Sequence, residues 1–283
     1  MNEIIFDSED KKMSLPVALQ LFSVRDTFEK DAIATLRKVK EIGYDGVEFA
    51  GLFGNDPKAL RAELDSLGLR AISAHVPFSE LCDDIDTVIT NYKILGCDYI
   101  VIPWLDAKKA LTAETLPATI ESVKKIGKAL KDAGFTLLYH NHNFEFEKID
   151  GEYILDILYN EVDSSLLQTE LDTCWVNVGG ENPSEYILKY SSRSPVVHLK
   201  DFVGGGKEGL FELIGDETAK MEKKKEEFDF RPVGYGVQNF PSILDAAVKA
   251  GAKWVVVEQD RSTERAPLEA VKMSKEYLAT LGW

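Results

Sequence analysis

FEKDAIATLRKVKEIGYDGVEF, residues 28–49, holds a complete structural unit in a short span. Ile33, Leu36, Val39 and Ile42 step by threes along one face of a helix, Gly43 supplies its left-handed stop, and GVEF reads as a short buried strand. The same grammar recurs at Lys58 to Leu67 before Gly68, Ile85 to Leu95 before Gly96, Leu116 to Ala133 before Gly134, and Ile243 to Ala250 before Gly251. Strand runs are read at Val17 to Phe22, Gly46 to Phe49, Leu69 to Val76, Tyr99 to Pro103, Phe135 to Asn141, Leu167 to Asp172, Val196 to Lys200 and Trp254 to Glu258. Eight strand-then-helix repeats in about 250 residues predict an α/β fold of one domain, a closed parallel (β/α)8 barrel. The competitor is an open doubly wound sheet, which the absence of a GxGxxG after the first strand weakens.

The barrel is expected to occupy residues 15–283, behind an N-terminal tail at 1–14. One stretch breaks the rhythm. Gly204 to Gly236 lies between strand seven and its helix and is too long for an ordinary connection. At the C-terminal rim of a barrel it reads as a wall or lid over a pocket, or as a solvated charged excursion. Whether two copies pair through it, giving a homo-oligomer, stays open.

Composition bounds the rest. The chain has 283 residues, 45% hydrophobic and 29% charged, enough for one full core. Lys plus Arg is 33 against 48 Asp plus Glu, a net charge of −15 that repels a phosphate backbone and argues against nucleic acid as a partner. Cys82, Cys97 and Cys174 have no CxxC spacing and read as reduced thiols, so a cytoplasmic location is expected. No apolar run approaches the roughly 20 residues of a membrane span, so no membrane partner is expected, and the acidic start MNEIIFDSEDKK does not resemble a signal peptide.

The chemistry collects at strand ends. His75, His140, His142 and His198 are the only histidines, and all fall at or just past the ends of strands three, five and seven. Asp172 closes the sixth strand, Glu258 ends WVVVE, and Glu145 follows HNHNF. A carboxylate beside a run such as WVVV is costly to bury unpaired, and a cation is the simplest compensation. Mixed Asp, Glu and imidazole donors suit one divalent metal ion, Mn²⁺ first, with Co²⁺, Zn²⁺ or Fe²⁺ as alternatives. The competing reading is a set of salt bridges with Lys200, Arg25 or Arg261.

The motifs LQLFSVRD (19–26), GYDGVEFAG (43–51), SAHVPF (73–78), YHNHNFEF (139–146), ELDTCWV (170–176), VVHLKD (196–201) and VVVEQD (255–260) occur in this order along nearly the whole chain. In that series the sequence resembles the sugar phosphate isomerase/epimerase family, with the xylose isomerase-like TIM barrel of the AP endonuclease 2 superfamily. The resemblance implies a divalent metal held from strands five to eight. Carried over by motif, three ligands fall on Asp172, His198 and Glu258. Many relatives have a glutamate on strand five; here the matching position is His140, with His142 as rival.

The resemblance further implies an isomerase or epimerase that abstracts a proton alpha to a carbonyl, through an enediolate; the acidic balance and the lack of a Walker loop favour a neutral keto-sugar, polyol or glycoside over a sugar phosphate. Glu258 is the expected base, and Glu145, His142 and Lys200 are candidates for the second acid/base. Gln20, Glu48 and His75 are assigned to substrate hydroxyls, and Trp104 and Trp175 to a sugar face. The alternative is a dehydratase or lyase eliminating beta to the carbonyl, which imidazole in place of glutamate favours. Further alternatives are a non-catalytic sugar-binding protein and, against the charge, an endonuclease.

Overall fold

The computed structural model describes residues 14–204 and 228–283. The tail residues 1–13 and most of the insertion, 205–227, lie outside the described residues. Eight parallel strands close into a ring in chain order: β1 (Val17–Gln20), β2 (Gly46–Phe49), β3 (Arg70–His75), β4 (Tyr99–Ile102), β5 (Thr136–His140), β6 (Gln168–Asp172), β7 (Val196–Leu199) and β8 (Trp254–Val257). Closure is direct: Val17 of β1 is in register with Val255 of β8, and Ala18 with Gly46 of β2. The open-sheet competitor is thereby excluded.

Helices Ala32–Ile42, Pro57–Leu67, Ile85–Leu95, Leu116–Asp132 and Phe240–Ala250 surround the ring. The main core lies between their apolar faces and the outward residues of the strands. Gly43 ends the first of them at φ +103°, a conformation that costs a side chain and leaves glycine free. The helix Leu116–Asp132 places Gly127 where a Cβ would lie 2.3 Å from the Leu166 carbonyl, so only glycine allows that close approach.

Only β2 keeps both expected limits; the other strands are one or two residues shorter at one or both ends. The first strand ends at Gln20 rather than Phe22, because the Gln20 side chain accepts the Phe22 N–H and turns the chain into a 3-10 turn over Leu21–Val24. The last strand ends at Val257, although the Glu258 N–H still donates to the Leu199 carbonyl. Short elements too brief to carry a periodicity appear on the connections. They include helices Arg25–Lys30, Phe78–Asp83 and Thr173–Val178 and the hairpin of Lys148–Ile149 with Glu152–Tyr153.

The inner face of the ring changes character along its axis. Ala18, Ile72, Val101, Leu138, Val196 and Val256 form a separate buried apolar layer, a floor. Two residues further along four of the same chain segments stand Gln20, His140, His198 and Glu258, with Glu48 beside them from β2. Strand alternation therefore turns a greasy floor into a polar chamber within one step.

The described roots of the insertion form an antiparallel hairpin, Asp201–Val203 with Asp229–Arg231. Asp201 fixes its far side, its carboxylate accepting N–H groups from Phe202, Gly234, Gly236 and Gln238.

Candidate metal centre and active site

Four buried side chains from β5 to β8 converge where the chamber opens. His140, Asp172, His198 and Glu258 each offer a donor atom, and these atoms lie within 4.8 Å of one another. His140 comes from the last residue of β5, its Nδ1 tied to the Pro103 carbonyl at 3.1 Å. That contact aims Nε2 inward. Asp172 ends β6 and caps the next helix, Oδ1 accepting the Trp175 N–H at 2.9 Å while Oδ2 faces the chamber. His198 lies in register with Asp172 across the β6–β7 ladder, and its Nδ1 is 3.1 Å from Glu258 Oε2.

This set fits a divalent ion. His140 Nε2 is buried and has no hydrogen-bond partner. Its nearest carboxylate oxygens, Asp172 Oδ2 and Glu258 Oε2, are at 3.4 and 3.6 Å, too long for a good hydrogen bond. Donor atoms about 2.1 Å from a shared ion at tetrahedral angles lie roughly 3.4 Å apart, which is this spacing. His142 stands outside the set. Burial holds its pKa well below the ordinary histidine value, with His140 and Lys200 adding to the effect. Its ring stacks on Phe144 at 5.3 Å.

Lys200 continues the inner face of β7 beyond His198 and is buried. Its Nζ reaches Asp172 Oδ2 at 3.0 Å, Glu258 Oε2 at 2.8 Å and Asp260 Oδ1 at 3.0 Å. Burial opposes its charge, but these carboxylates outweigh it and raise its pKa well above the ordinary lysine value. The salt-bridge reading is thus realised in part, by Lys200. One ammonium against three carboxylates still leaves room for a cation. Burial would likewise raise Asp172 and Glu258, yet Lys200 and the histidines bring Asp172 down to about 2 and hold Glu258 well below the carboxylate range.

Beneath lies a second ring. His198 Nε2 is 2.8 Å from Glu48 Oε1 and 3.0 Å from Glu170 Oε1; His75 Nε2 is 2.7 Å from Glu170 Oε1 and 3.2 Å from Glu48 Oε1. Gln20 and Ser73 also donate to Glu48. These donors form another group able to face a metal ion, but their contacts are hydrogen-bond lengths, and two imidazole N–H groups shared between two carboxylates account for them. With the proton on Nε2, held between two carboxylates, the Nδ1 of His198 would be the nitrogen that faces the upper group.

Of the residues singled out in the sequence, Gln20, Glu48 and His75 are therefore brought together, tied to one another under the metal set. Glu145 is buried and its oxygens are taken by the Tyr139 hydroxyl and the His142 N–H. Trp175 is buried, stacked on Phe228 at 5.8 Å, with Lys200 Nζ 5.5 Å from its ring. Trp104 is exposed on the rim. Glu170 and Asp260 escaped the sequence reading. Glu170 had a signal, two residues before Asp172 and hence on the same face of β6.

The sequence profile of the xylose isomerase-like TIM barrel family matches residues 36–281, and the chain belongs to that family. The inosose dehydratase of Geobacillus kaustophilus strain HTA426 is 25% identical over 281 residues, 90% of this chain and 88% of that protein. A sugar phosphate isomerase/epimerase from Parabacteroides distasonis ATCC 8503 superposes with a TM-score of 0.75 at 22% identity, over 95% of each chain. A probable 3-DHS dehydratase from Bacillus anthracis superposes with a TM-score of 0.71 at 14% identity, over 94% of this chain and 99% of that one. At these identities the two structures speak to the fold. Among the described residues no helix is long and apolar enough to cross a membrane.

Proposed function

We propose that the chain is a divalent-metal-dependent lyase of the dehydratase kind. It removes the proton alpha to the carbonyl of a keto-sugar or keto-polyol and expels the oxygen substituent beta to it. One observation carries the reading: Glu258 stands 2.8 Å from the Lys200 ammonium, while an imidazole, His140, fills the strand-five place from which a second carboxylate would work the opposite face of the substrate carbon. Exchange of a proton between two faces needs two bases, whereas elimination needs one base and one acid.

A bound divalent ion would be held by His140, Asp172, His198 and Glu258 and would supply Lewis-acid polarisation of the carbonyl. The chain's own groups do the rest. The Glu258 carboxylate takes the alpha proton, and Lys200 gives a proton to the leaving oxygen. Proton return from Glu258 to Lys200 across their contact restores both. Burial of this pair keeps water from competing for either proton.

An isomerase or epimerase is the second reading. The buried His142 Nδ1, which has no hydrogen-bond partner, favours it as the group that would return a proton to the substrate.

Manganese-loaded protein incubated with an inosose and analysed by mass spectrometry separates the two. The expected product is lighter by one water; an isobaric product carrying solvent deuterium sinks the lyase reading. Glu258→Gln should lower turnover by roughly 10² to 10⁴-fold. No turnover, together with a melting temperature indifferent to both EDTA and Mn²⁺, would instead mark a non-catalytic sugar-binding protein.

A further inference from the structure

A buried polar atom without a hydrogen-bond partner costs free energy unless a ligand or an ordered water completes it. Among the described residues, two such atoms outside the metal set belong to rings in contact with each other: Nδ1 of His142 and Nε1 of Trp175. The ring centroids are 5.5 Å apart and the planes are inclined at 35°. Both rings also border groups that the proposed reaction uses. The His142 ring meets the His140 ring edge-on at 5.2 Å, and the Trp175 ring lies 5.5 Å from Lys200 Nζ. The pair thus bridges the metal donor of β5 and the proposed acid beyond β7.

Each ring is held in place. The His142 backbone N–H donates to Glu145 Oε2 at 2.8 Å, the Tyr139 hydroxyl donates to the other oxygen of that carboxylate at 2.5 Å, and the imidazole stacks on Phe144 at 5.3 Å. The Trp175 backbone N–H donates to Asp172 Oδ1, Phe228 stacks on the indole at 5.8 Å, and Phe230 meets it at 5.8 Å and 87°. With Phe228 on its ring and only 1% of the residue exposed, Trp175 does not offer the open face that sugar stacking needs. What it can offer is its indole N–H.

The two nitrogens together suit one kind of group. An indole N–H only donates, and an imidazole nitrogen accepts or donates according to its tautomer. A hydroxyl answers both cases. Its oxygen accepts the indole N–H, and it either donates its own proton to Nδ1 or accepts a second N–H from it. A carbonyl answers only one case. An ammonium answers neither, so the neighbouring Lys200, which donates to three carboxylates, cannot complete the pair.

We propose that His142 Nδ1 and Trp175 Nε1 together bind one hydroxyl of the substrate, on a carbon that does not react, and so select among stereoisomers of a polyhydroxylated ring. The inference rests on the lyase reading for that ring and gives His142 a binding part instead of a proton-carrying one.

Myo-inositol lacks the carbonyl and does not react, so it and its monodeoxy analogues probe binding alone. In calorimetric titrations of manganese-loaded protein, the analogue lacking the bound hydroxyl should bind about 10- to 100-fold more weakly than myo-inositol, as expected when buried nitrogens stay unpaired. That penalty should shrink severalfold in Trp175→Phe and in His142→Leu, whereas penalties at hydroxyls on the metal should persist. His142→Asn, whose amide places a hydrogen-bonding atom near the position of Nδ1, should recover part of it. His142→Leu and His142→Asn, compared with each other, read the subsite even where Trp175→Phe fails to fold. Penalties that are the same in wild type and variants, a series without any penalty, or no measurable binding of myo-inositol overturns the subsite.

With an inosose, His142→Leu should raise KM by a larger factor than it lowers kcat. A collapse of kcat at unchanged KM would make His142 a proton carrier and overturn its binding part. A product lighter by one water without the position-specific penalty removes the subsite and leaves the lyase. The penalty without a lighter product leaves the subsite and removes the lyase.

Discussion

Glu258 follows a run of valines that would expel a lone carboxylate, and that conflict is why the site could be read from sequence at all. His198 and Glu258 interrupt apolar runs, VVHL and WVVVE, and Asp172 closes a buried strand, places where a polar group is expensive unless something compensates. Glu170 sits within β6, between Thr169 and Leu171, in a strand with too few apolar residues for one more carboxylate to stand out. The roles of His140 and His142 were not separable by residue type. Their surroundings differ: the Pro103 carbonyl holds His140 Nδ1, and His142 stacks on Phe144.

Glu170→Gln should weaken metal binding by roughly 10- to 100-fold, as loss of a carboxylate behind a ligating imidazole does. Calorimetric titration with Mn²⁺ measures it; an unchanged affinity would detach Glu170 from His198. Glu145 allows a pH test. Burial raises its pKa to about 7, against the hydrogen bonds from Tyr139 and His142 that lower it. A carboxyl with a raised folded pKa contributes stability below its unfolded value that is lost as pH climbs through the folded one. Wild type should therefore lose stability between about pH 4.5 and 7 relative to Glu145→Gln. Melting curves of the pair across that interval check the sign.

At the scale of elements, the helix stops and apolar runs were legible because each is a local property. Gly43, Gly68, Gly96 and Gly251 do end their helices. Gly134 falls one residue beyond the Ala133 cap. What was not legible depends on side chains returning to the backbone, as Gln20 does at the end of β1, or on pairs of two or three residues, as in the hairpins. The hairpin after β7 shows how such an element is held. Asp201 gathers four backbone N–H groups, and Gly236 approaches so closely that a Cβ would meet both its carboxylate and the Phe202 carbonyl. Asp201→Ala would orphan several of those donors and should cost about 1–3 kcal/mol. The local signature is faster amide exchange at Gly234, Gly236 and Gln238 than elsewhere; uniform acceleration across the chain would deny Asp201 this local role.

For the whole molecule, the charged groups set a pH interval of stability once the metal is removed with EDTA. Asp172, brought down to about 2 against burial by Lys200 and His140, contributes stability above its unfolded pKa that disappears as pH falls towards 2. His75, where burial is overcome by Glu48 and Glu170 and the pKa rises to about 10, contributes stability below its unfolded pKa that fades as pH rises towards 10. The stripped protein should accordingly melt highest in mildly acidic buffer and lose ground on both sides. A maximum at alkaline pH would contradict this balance.

The apolar layer of Ala18, Ile72, Val101, Leu138, Val196 and Val256 makes the chamber a cul-de-sac. On the proposed reading, a molecule released there would have to back out by the way the next one comes in, so departure and arrival would exclude each other. Traffic through a single doorway ties the pace of clearing the chamber to the pace of filling it.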